Sequence, residues 1–339
     1  MEESEIGLKT LTGLFGKTRQ AYYQKTNHEI ETFTQETIVL EMVKKVRKKV
    51  KTNRWGGRKL YSMIKKEMER QSIKMGRDKF FDLLRSEGML VKPRKRHFFT
   101  TQSHHWLHKY DYLINGMELT APNQIWVSDI TYVESQDEVL YLYIITDAFS
   151  KKIIGWHIST DLKALSAVKA LKMAIKNNPN ITEGLIHHSD RGVQYCSSEY
   201  VNILKKYSIK ISMTHGGSPH QNSIAERVNG IIKDEWLYDL ELKNRKQAEK
   251  KIKEIINVYN IIRPHQTLNF NTPDEVHRRV FLRNKIESII IGKKYNNEKT
   301  GFNKTQPLPI NAYKSQLFLA GCSSAEPASA SLRQDKIDK

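Results

Sequence analysis

Three apolar runs crowded between residues 124 and 159 constrain the fold of this chain more than any other feature. QIWVSDITYV, VLYLYIITDAF and KIIGWHIS are rich in β-branched and aromatic residues and stand only a few residues apart. That spacing suits an antiparallel meander. The pattern then alternates. LKALSAVKALKMAIKN (162–177) is an amphipathic helix, GLIHHSD a short strand, SEYVNILKKYS a helix and IKISMTH another strand. Helices take over from about Ser223 to Ile262. Three consecutive strands, then helix, strand, helix, strand and terminal helices predict a mixed α/β sheet of five strands, the first three antiparallel. Trp126, Tyr143 and Trp156 fall on these runs and read as core rather than as base-stacking groups.

Residues 1–90 have a different, all-helical texture. LTGLFGKTRQAYYQ, with its turn at Gly16, looks like half of a helix-turn-helix. Ile38, Met42, Val43 and Val46 then stand at helical spacing in 36–50, and 57–70 and 77–87 continue the pattern between Gly76 and Gly88. Arg77 and Lys79 open the last of these helices. The segment reads either as a DNA-binding helix-turn-helix region or as a helical adaptor with a solvated basic face. Residues 91–121 are a basic linker in which Arg94, Lys95 and Arg96 are placed to track a phosphate backbone. Residues 122–280 hold the α/β pattern, and 281–339 form a basic tail expected to be flexible.

Charge is distributed as unevenly as hydropathy. The formal net charge is +19 over 339 residues, yet residues 1–120 carry 25 bases and 14 acids, 121–240 carry 12 and 13, and 241–339 carry 19 and 10. Basic flanks around a neutral centre suit a polyanionic partner, with the central carboxylates reserved for another purpose. Two cysteines, Cys196 and Cys322, make neither a disulfide framework nor a Cys-rich zinc site. His104 and His108 lack a cysteine pair and carry no zinc expectation. The acidic start MEESEIGLKT and the absence of a long apolar run predict a cytoplasmic protein without a membrane span. LFLAGCSS around Cys322 is a chance likeness to a lipobox, because no signal segment precedes it.

Three acids stand out by context. Asp129 lies inside an apolar strand, where a carboxylate is costly to bury without a partner. Asp190 follows the fourth strand, and Glu226 falls early in a helix after the turn residues Gly216 to Pro219. Thirty-five residues separate Asp190 from Glu226. Hard oxygen ligands of this kind suit Mg²⁺ or Mn²⁺. Lys233, about 700° along the helix from Glu226, returns to the same face, whereas Glu235 falls on the opposite one. Asp147, in TDAFS, reads as a strand-end or turn residue, and His187 and His188 as shaping the turn before Asp190. In YNIIRPHQTLN, Arg263 and His265 are open to either DNA contact or packing.

WVSDITYV, TDAFSKKIIGW, HHSDRGVQYCS, GSPHQNSIAERVNGIIKDE and YNIIRPHQTLNFNTP occur in an order that resembles the OrfB-type DDE transposases of bacterial insertion sequences, which share the retroviral integrase catalytic core. The resemblance covers about residues 10–280 and implies a ribonuclease-H-like fold. It also implies Asp129, Asp190 and Glu226 as a triad holding two Mg²⁺ (or Mn²⁺) ions, with Lys233 as the basic residue of the extended motif. The implied reaction is cleavage of 3′ ends and strand transfer of an insertion sequence, water and then a DNA 3′-OH serving as nucleophile. The implied partners are double-stranded DNA, as terminal repeats and target, and further copies of the chain on that DNA, in a nucleoid-associated bacterial protein. With no evident leucine zipper or complete upstream helix-turn-helix module, the chain is also expected to act with an upstream OrfA product through a frameshift fusion. A domesticated relative that binds DNA without chemistry is the competing reading.

Overall fold

The computed structural model describes residues 8–94, 106–179, 181, 184–215 and 219–279. Lys95, Arg96, His104, Cys322 and the tail from 281 onward lie outside the described residues.

Five strands form one sheet: β1 (Ile125–Glu134), β2 (Val139–Asp147), β3 (Ile153–Ser159), β4 (Ile186–Ser189) and β5 (Lys210–Met213). Their order is β3-β2-β1-β4-β5, with β1, β2 and β3 antiparallel and β4 and β5 parallel to β1. This is the ribonuclease-H-like arrangement expected from the order of elements. Asp147 closes the tight β2–β3 turn: its Oδ1 accepts from the backbone N–H and the hydroxyl of Ser150 at 2.7 and 2.6 Å, and its Oδ2 accepts from Asn123 N–H.

Strand alternation sends successive side chains to opposite faces of the sheet. One face carries Trp126, Tyr143, Ile145 and Ile154 against α5 (Ala164–Asn177), the single turn α6 (Val193–Cys196) and α7 (Ser198–Lys206). Gly155 lets α5 approach β3, since a Cβ there would collide with the Ala170 carbonyl oxygen. The other face carries Val133, Leu140, Leu142 and Ile144 against α8 (Ser223–Glu235) and α9 (Arg245–Ile261). The β5 edge is covered by the second half of the basic segment. Asp111 C=O accepts from Met213 N–H, Leu113 N–H donates to Ser212 Oγ, and Leu107 and Tyr110 pack on the core beneath.

The N-terminal helices are α1 (Leu8–Leu14), α2 (Arg19–Val50), α3 (Gly57–Arg70) and α4 (Arg77–Ser86). The turn expected at Gly16 separates α1 from α2, but the basic-aromatic stretch after it is not apart from the helix at 36–50: the structure joins the two in α2. α2 runs unbroken because Thr18 caps its start by accepting from Ala21 N–H, and neither Gly nor Pro interrupts it. Its C-terminal half buries Val39, Met42, Val43 and Val50 with Leu60 and Ile64 of α3 and Phe80 and Leu84 of α4. These side chains share one apolar cluster with the α8–α9 face of the sheet. The change of texture near residue 90 is therefore not a break in packing. Among the described residues, no helix is long and apolar enough to cross a membrane.

Candidate active site

Asp129 shares the α8-facing side of β1 with Val127 and Val133, which pack against Ala225 and against Val228 and Ile232 respectively. A carboxylate thus sits where an apolar residue would complete the interface. Its oxygens are held individually: Oδ1 accepts from Ile130 N–H at 2.9 Å, and Oδ2 accepts from the Asn229 amide at 2.8 Å. Extending the β1–β4 register by two residues brings position 190 alongside Asp129, on a strand about 4.8 Å away. Asp190 accepts from Gly192 N–H through Oδ1 at 3.0 Å, which turns the chain sharply as it leaves β4. Glu226, exposed, lies one helical turn before Asn229.

The electrostatics record the same convergence. Burial, then the charge of Asp190 and to a smaller extent that of Glu226, push the Asp129 carboxyl up to about 7, against the two hydrogen bonds that favour its ionised form. Burial lowers Lys233, and the negative charge of Asp129 opposes that lowering, which places the lysine within electrostatic reach of the same carboxylate. Asp129, Asp190, Glu226 and Lys233 therefore meet in one region. The donors are hard oxygens, and each Asp129 oxygen keeps a lone pair beyond its single hydrogen bond. The set suits a divalent cation in chemistry. In geometry it is not assembled: among the described residues, no three Asp, Glu, His or Cys side chains stand close enough together to hold a metal ion.

Asn229 is the residue that sequence reasoning missed. Its signal was its position three residues after Glu226, on the same helix face. Behind the carboxylates, His187 and His188 act as structural groups. Burial takes them down to about 3 and about 4, so both are neutral at pH 7. His187 Nε2 pairs with Tyr200 Oη at 2.9 Å, while His188 bridges Ser212 Oγ and the Gln221 carbonyl. Asn222 donates to the Ser128 carbonyl and so fixes the entry of α8 over β1.

The basic candidates divide. Arg77 and Lys79 open α4 with exposed side chains, Arg77 bonded to Asp78 and Lys79 3.5 Å from Glu36. Arg94 is paired with Asp239 and lies over the Tyr238 ring. Arg263, a candidate for either DNA contact or packing, is a packing residue. It is 4% exposed, and its guanidinium grips both oxygens of Glu235 at 2.8 and 2.6 Å. The basic Arg-Pro-His stretch gave no hint of this, because the matching acid lies 28 residues upstream.

Two integrase core domain models match the chain, at residues 120–219 and 207–273, spanning the sheet, the carboxylates and α9. A 31 kDa protein of insertion element IS600 from Shigella sonnei is 33% identical over 77% of this chain and 94% of its own length. The transposase for insertion sequence element IS904 from Lactococcus lactis subsp. lactis (strain IL1403) is 34% identical over 49% of this chain and 66% of its own. Among solved structures, the HTLV-2 integrase catalytic core domain in complex with magnesium covers 46% of this chain and 97% of its own, at 22% identity and a TM-score of 0.37. The near-complete span of the IS600 protein and the matched core domain make this chain a member of the insertion-sequence transposases with an integrase core, a family of polynucleotidyl transferases.

Proposed function

We propose that Asp129, Asp190 and Glu226 are the catalytic carboxylates of this transposase, that they hold two Mg²⁺ or Mn²⁺ ions, and that Lys233 contacts the DNA beside them. The observation that carries the reading is the placing of a buried Asp129 on β1, level with position 190 in the β1–β4 register and bonded to Asn229 one turn after Glu226 on α8, with the charges of Asp190 and Glu226 both bearing on it. Cations bound there supply activation of the attacking oxygen and neutralisation of charge at the leaving one. The chain's own residues do the positioning. Asn229 and Ile130 N–H keep Asp129 pointed at α8, the Gly192 turn aims Asp190, and α8 presents Glu226 and Lys233 on one face.

The reaction proposed is hydrolytic cleavage of the element's 3′ ends followed by attack of each freed 3′-OH on a target phosphodiester, with the displaced 3′ oxygen as leaving group. The duplex is gripped by exposed bases on the N-terminal helices, Arg77 and Lys79 among them. A groove of about 440 Å³ carries Lys44, Arg47, Lys48 and Lys51 at the C-terminal end of α2. Labelled terminal-repeat DNA incubated with the protein and Mg²⁺ tests the assignment. Asp129→Asn, Asp190→Asn and Glu226→Gln are each expected to lose cleavage and joining while retaining DNA binding. Wild-type rates in any one of them would remove that residue from the triad.

A further inference from the structure

One edge of the sheet is β3, and both helix layers meet that edge with a row of lysines. On α9, Lys246, Lys250 and Lys253 stand at positions i, i+4 and i+7, within about 60° of arc at about 100° per residue. On α5, across the sheet, Lys169, Met173 and Lys176 repeat that spacing. A groove of about 430 Å³ is walled by Trp156 and His157 of β3, by Met173 and by the three α9 lysines. Met173 covers the strand edge itself, its Sδ accepting from Trp156 N–H at 3.4 Å.

Acids that would neutralise these rows are scarce. α5 carries none, and of the two glutamates on α9, Glu254 is engaged by Lys51 and Lys251 while Glu249 lines the groove. Among the described residues, none of the five lysines makes an ion pair. His157 feels both layers. It is lowered by burial first, then by the charges of Lys169 from α5 and Arg245 from α9, with Glu249 and Asp161 opposing.

The length of the rows selects the occupant. Seven residues of helix rise about 10 Å. Duplex DNA carries about one charge per 1.7 Å, or about six over that length, divided between two strands. An extended acidic peptide has room for only about three residues there, at about 3.4 Å each, too few to serve five lysines on both sides of a groove. A second copy would set lysines against lysines. Asp129, Ile144 and Trp156 are successive partners in one row across β1, β2 and β3, so the groove begins about 10 Å from the carboxylate, on the same face of the sheet.

We propose that Lys169, Lys176, Lys246, Lys250 and Lys253 form a surface for the phosphates of duplex DNA, additional to the exposed bases on the N-terminal helices. It rests on the reading of this chain as acting on DNA, and not on which carboxylates cut it.

Lysine acylation read by mass spectrometry, on the metal-free full-length chain, tests the surface. A mixed-sequence duplex is expected to protect the five lysines at least about fivefold and to leave exposed Lys205 and Lys206 of α7 reactive. Salt titration gives the second reading. Lys246→Gln/Lys250→Gln/Lys253→Gln should lower the slope of log affinity against log salt by about 2–3, and Lys205→Gln/Lys206→Gln/Lys210→Gln by much less. The inference is overturned by reactive groove lysines in the duplex-bound protein, by equal slopes for the two variants, or by protection from poly-glutamate as strong as from the duplex. Protection that grows with protein concentration without DNA would mark an interface between copies and also overturns it. Because these readings need no metal, failure of the carboxylate assignment would leave them unchanged.

Discussion

Two glutamates nine residues apart on α8 have opposite surroundings. Glu226 is exposed and lies within electrostatic reach of Asp129, and among the described residues it makes no ion pair. Glu235 is buried and locked: Arg263 holds both its oxygens, Lys59 reaches it from α3, and Thr52 bonds its carbonyl. Burial alone would raise Glu235, yet these cations hold it below the ordinary carboxylate value. Lys59 pays in the opposite direction, since burial and the nearby Arg263 take it down to about 8 despite Glu235. Under the proposed assignment, one residue type on one helix serves two ends, chemistry at Glu226 and assembly where the charge of Glu235 is neutralised.

The comparison breaks most visibly in activity. Glu226→Gln should reduce end cleavage by about 10²–10³-fold or more and leave the thermal midpoint almost unchanged. A large loss of stability with little loss of rate would reverse the roles of the two glutamates. Next in size is Glu235→Ala, expected to cost about 3–5 kcal/mol in denaturant unfolding because it strands buried Arg263 and Lys59. The protein that remains folded should still cut DNA.

Asp129 sharpens the contrast through pH. Its carboxyl is raised from an ordinary 3.8 to about 7, so the metal-free native state binds a proton that the unfolded chain has released. Stability should therefore fall as pH rises from near 4 to about 7 and then level off. Mg²⁺ should compete with this proton and bind more tightly through the same interval. Asp129→Asn should flatten the stability curve and raise the apo melting temperature at pH 8; a curve as steep as wild type would show that another group titrates. The smallest expected effect is that of Asn229→Ala, about 1.5–3 kcal/mol of lost hydrogen bonding to a charged group. It should appear in cleavage rate and pH profile more than in melting.

Much of this contrast was legible in the sequence. An aspartate inside WVSDITYV stands out because apolar neighbours leave a carboxylate no local reason to be there. Helical angle separated Glu226 and Lys233 from Glu235 before any contact was known. The strands declared themselves by alternation and short spacing. The length of α2 did not, because residues 19–37 lack the periodic burial that marks a helix packed on its own core. Nor did the burial of Arg263 or the covering of β5 by 107–113, since both depend on partners far away in the chain. Local pattern reveals elements and misplaced charges; distant pairing needs the fold.

Trp236, at the end of α8, meets Trp55 edge to face with ring centres 6.4 Å apart and donates its indole N–H to the Val50 carbonyl at 3.0 Å. The helix that carries Glu226 is thereby bolted to the helices that carry the exposed bases. A tether between them would let the distance from grip to cut wander with thermal motion; interlocked indoles turn it into a caliper. Under the proposed assignment of grip and carboxylates, the number of base pairs between the contacted repeat and the severed bond is set by the protein interior, and a substitution at Trp55 should smear the position of the cut before it slows the cutting.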